Sequence, residues 1–124
     1  MNFGLVLLVA VGCAVGGVSR FFLQHLGGIL FPGYAVGTIA ANLIGSFIAG
    51  IILPGFVGFS PETRALLLTG FLGGLTTMSS FALDMVVFLD GRRFAFATLY
   101  WLIGAVGSVL ACMAGFRVTR LFVD

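Results

Sequence analysis

The sequence contains no lysine, one histidine and two cysteines, and only 8% of its 124 residues are charged. Roughly 25% of the residues in a soluble domain are charged, so this composition excludes a soluble domain. The net charge of +2 is too small to indicate a nucleic-acid partner. His25 has no companion at a metal-ligand spacing, and the sequence shows no catalytic Ser/His or Cys/His set and no phosphate-binding loop. We therefore expect a protein that is not an enzyme.

Hydrophobic residues make up 60% of the chain, with 19 glycines and 14 phenylalanines. A membrane-spanning helix needs roughly 20 apolar residues, so the chain has room for four spans. We predict an all-α integral membrane protein, with one four-helix transmembrane domain over residues 1–124. It would cross the lipid bilayer of the cell (inner or plasma) membrane several times. The predicted spans cover about residues 3–22, 34–53, 62–89 and 94–116.

The third span contains Gly-Phe-Leu-Gly-Gly-Leu-Thr-Thr-Met-Ser-Ser-Phe at residues 70–81. Three glycines in five residues, followed by two threonines, do not favour a continuous helix. We predict a break at residues 73–77, near the membrane midplane. Backbone carbonyls freed there must be satisfied by protein, water or an ion. The alternative is that Gly70 and Gly74 only form a small-residue helix contact; we favour a functional break.

The first span contains Gly12 and Gly16, whose four-residue spacing predicts a close helix neighbour. Arg20 either extends towards the membrane surface or faces a wet cavity, and position alone favours neither. The turn-forming residues after this span predict a connection without fixed charge: Gly27, Gly28, Pro32 and Gly33.

The second span carries Thr38, Asn42, Ser46 and Gly50 at intervals of four, which places them on one helix face. Asn42 is the costliest member, because its amide must satisfy two donors and an acceptor. An asparagine in a membrane helix can simply form a hydrogen bond to a neighbouring helix, which stabilises the helix pair by ~1 kcal/mol. We favour the interpretation that this polar stripe lines a path.

The connection to the third span ends in Ser60, Pro61 and Glu62, a pattern typical of a helix start. Beyond the predicted break, Met78, Phe81 and Asp84 are spaced by three and share a face. Asp84 lies late in the span and is predicted to be near the membrane boundary, where an ordinary interfacial carboxylate is the simplest interpretation.

The fourth span offers two neighbouring faces. A strip of small residues, Gly107, Ala111 and Gly115, predicts tight helix packing. The adjacent face comprises Tyr100, Gly104 and Ser108.

The arginines are divided almost equally between the two sides of the membrane. Arg64, Arg117 and Arg120 fall on the side of the termini. Arg92 and Arg93 fall on the opposite side, joined by Arg20 if it extends outward. The orientation of a membrane protein is set by an excess of lysine and arginine on one side. Because this chain has almost no such excess, we expect it to insert in both orientations. Such a chain can form an antiparallel dimer in which the carbonyls of two breaks surround one cation.

Three segments together resemble the CrcB/Fluc fluoride channels, which are small four-span, dual-topology homodimers. These segments are residues 16–20, residues 37–47 (Gly-Thr-Ile-Ala-Ala-Asn-Leu-Ile-Gly-Ser-Phe) and residues 70–81. The resemblance covers nearly the whole chain. It implies passive export of fluoride, which lowers fluoride toxicity in the cytoplasm.

The resemblance also implies the residues of the site. A structural sodium ion, central in the antiparallel homodimer and not transported, would be held by the backbone carbonyls of Gly73 and Thr76. Asn42 would donate to fluoride or to water, Arg20 would support a positive vestibule, and Phe81 would turn its ring edge towards the anion. The remaining pore residues implied are Thr38, Met78, Ser79, Ser80, Tyr100 and Ser108. Three positions differ from the family pattern: Met78 replaces a phenylalanine, Asp84 a glutamate, and Gly104 the serine of some members.

Two other functions are compatible with four spans. A proton-coupled multidrug transporter of dual topology needs a carboxylate near the membrane middle, and Asp84 is the only candidate. An accessory subunit with packing helices alone would leave the predicted break and the polar stripe without a role.

Overall fold

A computed structural model describes residues 2–123, and nearly all of them are helical. The helices are α1 (Phe3–Leu30), α2 (Val36–Ile52, extended by a 3-10 segment at Leu53–Gly58), α3 (residues 61–75), α4 (Met78–Asp90) and α5 (residues 94–123). Four stretches are long and apolar enough to cross a membrane: Phe3–Leu30, Val36–Gly58, Pro61–Asp90 and Phe94–Phe122. The prediction of an all-helical protein with four membrane-spanning stretches is therefore confirmed, and the helices extend beyond the predicted span ends.

The start of α3 follows the predicted capping pattern. The Ser60 hydroxyl accepts a hydrogen bond from the Thr63 backbone N–H at 3.2 Å, and Pro61 occupies the first helical turn. An oxygen acceptor at this position satisfies a donor that has no partner within the helix. This prediction is confirmed.

The predicted turn at Gly27 and Gly28 is wrong, because α1 continues to Leu30 and the connection occupies residues 31–35. Gly27 lies against the start of α2: a Cβ at Gly27 would be 2.5 Å from the backbone nitrogen of Gly37. Glycine is compatible with both a turn and a helix. The close packing of Gly27 against the start of α2 therefore favours the helix at this position.

Glycines allow the helices to approach closely at two interfaces. Between α1 and α3, a Cβ at Gly74 would lie 2.6 Å from the Cys13 carbonyl oxygen, and one at Gly12 would lie 2.8 Å from the Gly70 Cα. Between α2 and α5, Gly115 contacts the backbone of Phe47 in the same way. The small-residue contacts predicted at Gly12 and along α5 are confirmed. Gly70 and Gly74 also pack against α1, which is the contact that the alternative to a functional break expected.

The third span has two non-helical residues. Gly73–Leu75 is helical, whereas Thr76 (φ −84°, ψ 154°) and Thr77 (φ −153°, ψ 117°) are extended. The interruption is therefore shorter than the predicted 73–77, and it separates α3 from α4. Its depth in the bilayer stays a prediction.

An aromatic cluster joins α4 to the first half of α5. The Phe88 ring packs edge-on against Phe96 at a centroid distance of 4.8 Å and against Tyr100 at 5.0 Å. Phe81 stacks on Tyr100 at a centroid distance of 5.3 Å, with an interplanar angle of 14°. This cluster fixes the positions of Phe81 and Tyr100 relative to each other.

Candidate functional site

A groove of about 390 Å³ lies where α2, the α3–α4 junction and α5 meet. Nine residues line it: Asn42, Ser46, Thr76, Thr77, Met78, Phe81, Gly104, Ala105 and Ser108. The groove combines Asn42 and Ser46 of the polar stripe with the junction and with Gly104 and Ser108 of the fourth span. None of the nine side chains is acidic.

Asn42 binds both backbone groups of Thr77. Its Oδ1 accepts from the Thr77 backbone N–H at 2.7 Å, and its Nδ2 donates to the Thr77 carbonyl oxygen at 3.1 Å. The side-chain amide of Asn42 thus supplies one acceptor and one donor to the Thr77 backbone. A neighbouring strand would supply the same two partners. The second N–H of the half-buried Asn42 remains for a ligand or water in the groove.

The same arrangement leaves two carbonyls without their helical partners. In a continuous α-helix, the Gly73 and Thr76 carbonyls would accept from the N–H groups of Thr77 and Ser80. The Thr77 N–H donates to Asn42 instead, and the Ser80 N–H donates to the Thr77 hydroxyl oxygen at 3.1 Å. Gly73 is exposed and Thr76 is half-buried. These two carbonyls can therefore bind another donor or a cation.

Phe81 and Met78 both line the groove but differ in environment. Phe81 is 8% exposed and Met78 is 76% exposed. Gly104 makes room for the Phe81 ring, because a Cβ there would lie 3.0 Å from the Phe81 Cδ2. The Phe81 ring therefore packs against α5 at Tyr100 and Gly104, whereas most of the Met78 side chain is exposed.

A second polar cluster lies behind Phe81. The Tyr100 hydroxyl donates to Asp84 Oδ2 at 2.7 Å and lies 3.4 Å from the Ala35 carbonyl oxygen. Asp84 is half-buried and accepts this hydrogen bond from a phenol of α5. Its position near the membrane boundary stays a prediction. Thr38, 4% exposed, accepts from Gln24 Nε2 at 3.2 Å.

Sequence reasoning missed Gln24. Its position was a usable signal, because Gln24 follows Gly16 by eight residues and precedes Gly27 by three. Such spacing places it on the α1 face that packs against the other helices. A polar residue on a packed face needs a partner, and Thr38 provides it.

The other predicted site residues lie outside the groove. Ser79 and Ser80 contact the Thr77 hydroxyl at 3.2 Å each and thereby support the start of α4. Thr38 and Tyr100 belong to the second cluster. Arg20 is half-buried on α1 and, within residues 2–123, makes no hydrogen bond or ion pair.

Comparison with known proteins gives consistent matches. Residues 7–116 match the family model "CrcB-like protein, Camphor Resistance (CrcB)". A protein of Chlorobium phaeobacteroides (strain BS1), named fluoride-specific ion channel FluC, is 36% identical over 124 residues, covering 98% of this chain and 97% of the relative. A protein of the same name from Rhizobium leguminosarum bv. trifolii (strain WSM2304) is 40% identical over 119 residues, covering 92% and 94%.

Proposed function

The chain belongs to the CrcB-like family, and we infer from this membership that it is a fluoride-specific ion channel. The single observation that carries the inference is identity of 36% or more to proteins of that name over nearly their whole length. Four membrane-spanning helices agree with a multi-pass membrane channel. Fluoride leaves the cell passively, because a membrane potential that is negative inside drives anions outward. The driving free energy is ~2.3 kcal/mol per elementary charge for each 100 mV.

The groove at Asn42 has the chemistry that a fluoride path requires. Fluoride is small and strongly hydrated, so a pore must replace its water shell with hydrogen-bond donors. The free N–H of Asn42 and the hydroxyls of Ser46 and Ser108 are such donors. The Phe81 ring adds an edge with partial positive charge. We propose this groove as one wall of the pore, and no carboxylate on it would repel the anion.

We further propose an antiparallel homodimer. The groove is open on one side, and Met78 projects out of it with 76% of its surface exposed. A second copy would close the groove and bury Met78 of the first. The nearly equal division of arginines between the two sides supports insertion in both orientations, which an antiparallel pair needs.

A structural sodium ion is proposed at the Gly73 and Thr76 carbonyls. Carbonyl oxygens freed by an interrupted helix are typical sodium ligands in membrane proteins. Two carbonyls form only part of a coordination shell, and the corresponding pair from a second copy would supply the rest. Such an ion contributes positive charge beside the anion path. Asn42 and Thr77 hold the backbone in the conformation that leaves these carbonyls available.

The multidrug-transporter alternative loses its only candidate residue. Proton exchange with cationic drugs needs a carboxylate that reaches the substrate path. Asp84 does not line the groove, and its Oδ2 accepts the Tyr100 hydroxyl at 2.7 Å. The groove instead presents amide and hydroxyl donors, which suit an anion.

A fluoride-electrode assay tests the function. Purified protein is reconstituted into fluoride-loaded liposomes, and efflux is started with valinomycin so that potassium balances the charge. We expect rapid fluoride release that depends on valinomycin, and no comparable chloride release from chloride-loaded liposomes. Protein-free liposomes are the control. Release no faster than the control, from protein that elutes as a folded species, would rule out the proposal.

A further inference from the structure

A second groove, of about 370 Å³, lies between the start of α2 and the start of α5. Aromatic and aliphatic side chains line it, among them Phe31, Tyr34, Ile39, Phe96, Leu99 and Ile103. It is distinct from the groove at Asn42, because the two grooves share no lining residue. Tyr100 lines only the second groove, and its hydroxyl donates to Asp84. Both helices belong to membrane-spanning stretches, so this groove opens within reach of lipid.

Arg93 holds a positive charge at the mouth of this groove. Its guanidinium carbon lies 4.4 Å from the Phe96 ring centroid and 5.3 Å from that of Tyr34, and both rings line the groove. Nη1 donates to the Gly33 carbonyl oxygen at 2.7 Å, which fixes the side chain to the α1–α2 connection. The ring contacts and this bond hold the guanidinium in one place.

This charge is not neutralised within the described chain. Across residues 2–123, Arg93 has no carboxylate partner, and only one of its five N–H groups is bonded. Arg92, adjacent and exposed, adds a second positive charge, while the exposed Asp90 is the nearest acid along the sequence. A guanidinium with free donors matches the geometry of a phosphate group.

We propose that this site binds an anionic phospholipid, with its phosphate at Arg93 and one acyl chain along the apolar groove. Charge complementarity selects this occupant, because a zwitterionic lipid brings its own cation to the phosphate and an apolar molecule leaves Arg93 unpaired. The aromatic rings of Phe31, Tyr34 and Phe96 suit the interface between acyl chains and headgroups. Basic residues next to membrane helices commonly select anionic lipids in this way.

Arg64 provides a matched control within the same chain. Its guanidinium carbon also lies over a ring, 4.3 Å from the Phe56 centroid, and its Nη2 donates to the Phe56 carbonyl oxygen at 2.9 Å. Neither Arg64 nor Phe56 lines the second groove. Loss of Arg64 therefore removes the same kind of contacts without affecting the proposed lipid site.

Tryptophan quenching by brominated lipids measures the occupancy directly. Trp101 is the only tryptophan and is 48% exposed outside the groove. The variant Trp101→Phe with Leu99→Trp moves the reporter two residues, into the groove. Both proteins are reconstituted in mixtures of phosphatidylglycerol and phosphatidylcholine, with either lipid brominated.

We expect Trp101 to report the bulk lipid ratio and the groove tryptophan to prefer phosphatidylglycerol about fivefold, as one arginine near an anionic headgroup allows. Adding Arg93→Gln should abolish the preference, Arg93→Lys should keep most of it, and Arg64→Gln should leave it unchanged. The same arginine substitutions are also made in the protein that retains Trp101, where quenching of Trp101 verifies insertion.

Three results would overturn the proposal. One is a groove tryptophan that follows the bulk lipid ratio. Another is a preference that survives Arg93→Gln. The third is a groove tryptophan that neither lipid quenches, since a second protein copy would then cover the groove.

Discussion

The side-chain amide of Asn42 binds both the N–H and the carbonyl of Thr77, 35 residues further along the chain, at 2.7 and 3.1 Å. One residue therefore stabilises the α3–α4 junction and also presents a donor to the groove. Mutations at Asn42 should affect structure and conduction together, and the two effects can be separated by the choice of substitution.

Asn42→Asp should retain the bond to the Thr77 N–H but place a carboxylate against the Thr77 carbonyl and on the anion path. We expect fluoride flux per protein to fall about tenfold or more, because a lost buried hydrogen bond costs ~1–3 kcal/mol and the new charge repels fluoride. Size-exclusion profile and electrode efflux are measured on the same sample. Ser46→Ala, one turn further on the same groove wall, is the control and should reduce flux less. An Asp variant with wild-type flux would contradict the role of the amide donor.

Phe81→Ile and Met78→Phe should differ sharply. Phe81 is 8% exposed and stacks on Tyr100, so isoleucine removes both the ring edge and a packed aromatic contact. Met78 is 76% exposed within its own chain, so phenylalanine fits there, and the volume change at the proposed dimer contact is modest. We expect strongly reduced flux in Phe81→Ile and substantial flux in Met78→Phe, both normalised to folded dimer. Equal flux per dimer in Phe81→Ile and wild type would exclude a role of the ring edge in conduction.

Gly104→Ala should displace the Phe81 ring. The new Cβ would overlap Phe81 Cε2, so the ring must move, and it would lie 3.1 Å from Ile39 Cδ1, which must also give way slightly. We expect a stability loss of ~1–3 kcal/mol and reduced flux. Gly107→Ala on the same helix is the matched control, because its Cβ would lie 3.2 Å from the end of the flexible Leu43 side chain and in ordinary contact with Ile103, 3.9 Å away. Thermal unfolding and efflux of both variants are compared; indistinguishable results would show that Phe81 adapts.

Sodium should be needed for assembly but should not drive transport. If the Gly73 and Thr76 carbonyls hold a trapped ion, protein purified without sodium should lose flux or dimer, and restoring sodium should recover it. Imposed sodium gradients of either direction should leave the flux unchanged, because the ion stays bound. Flux that follows the sodium gradient would indicate a symporter instead.

Charge added to one side of the membrane should bias orientation. Val57 and Gly58 end the 3-10 segment that extends α2, at the end of the second membrane-spanning stretch, and both are exposed. Val57→Lys with Gly58→Lys should favour one orientation, read by C-terminal reporters active on opposite sides of the membrane, and lower flux by making the antiparallel partner scarce. The pair Val57→Gln and Gly58→Gln controls for the substitutions. A wild-type chain found in a single orientation would contradict the dual-topology proposal.

The sequence by itself determined the class of protein, the four spans and the residues of the polar stripe. Each of these depends on properties that are local in the chain. Apolar length defines a span because lipid offers the backbone no hydrogen-bond partners, and a spacing of four places Thr38, Asn42 and Ser46 on one face whatever surrounds them.

Only the tertiary structure decided what those residues contact. Asn42 finds Thr77, Thr38 finds Gln24, and Asp84 finds Tyr100, each across at least 14 positions of sequence. Gly27 is helical because Gly37 packs on it, although its sequence context suits a turn equally well. A side chain's hydrogen-bonding capacity is encoded locally, but its partner depends on which helices are neighbours, because a buried polar group takes whatever partner the packing brings within reach.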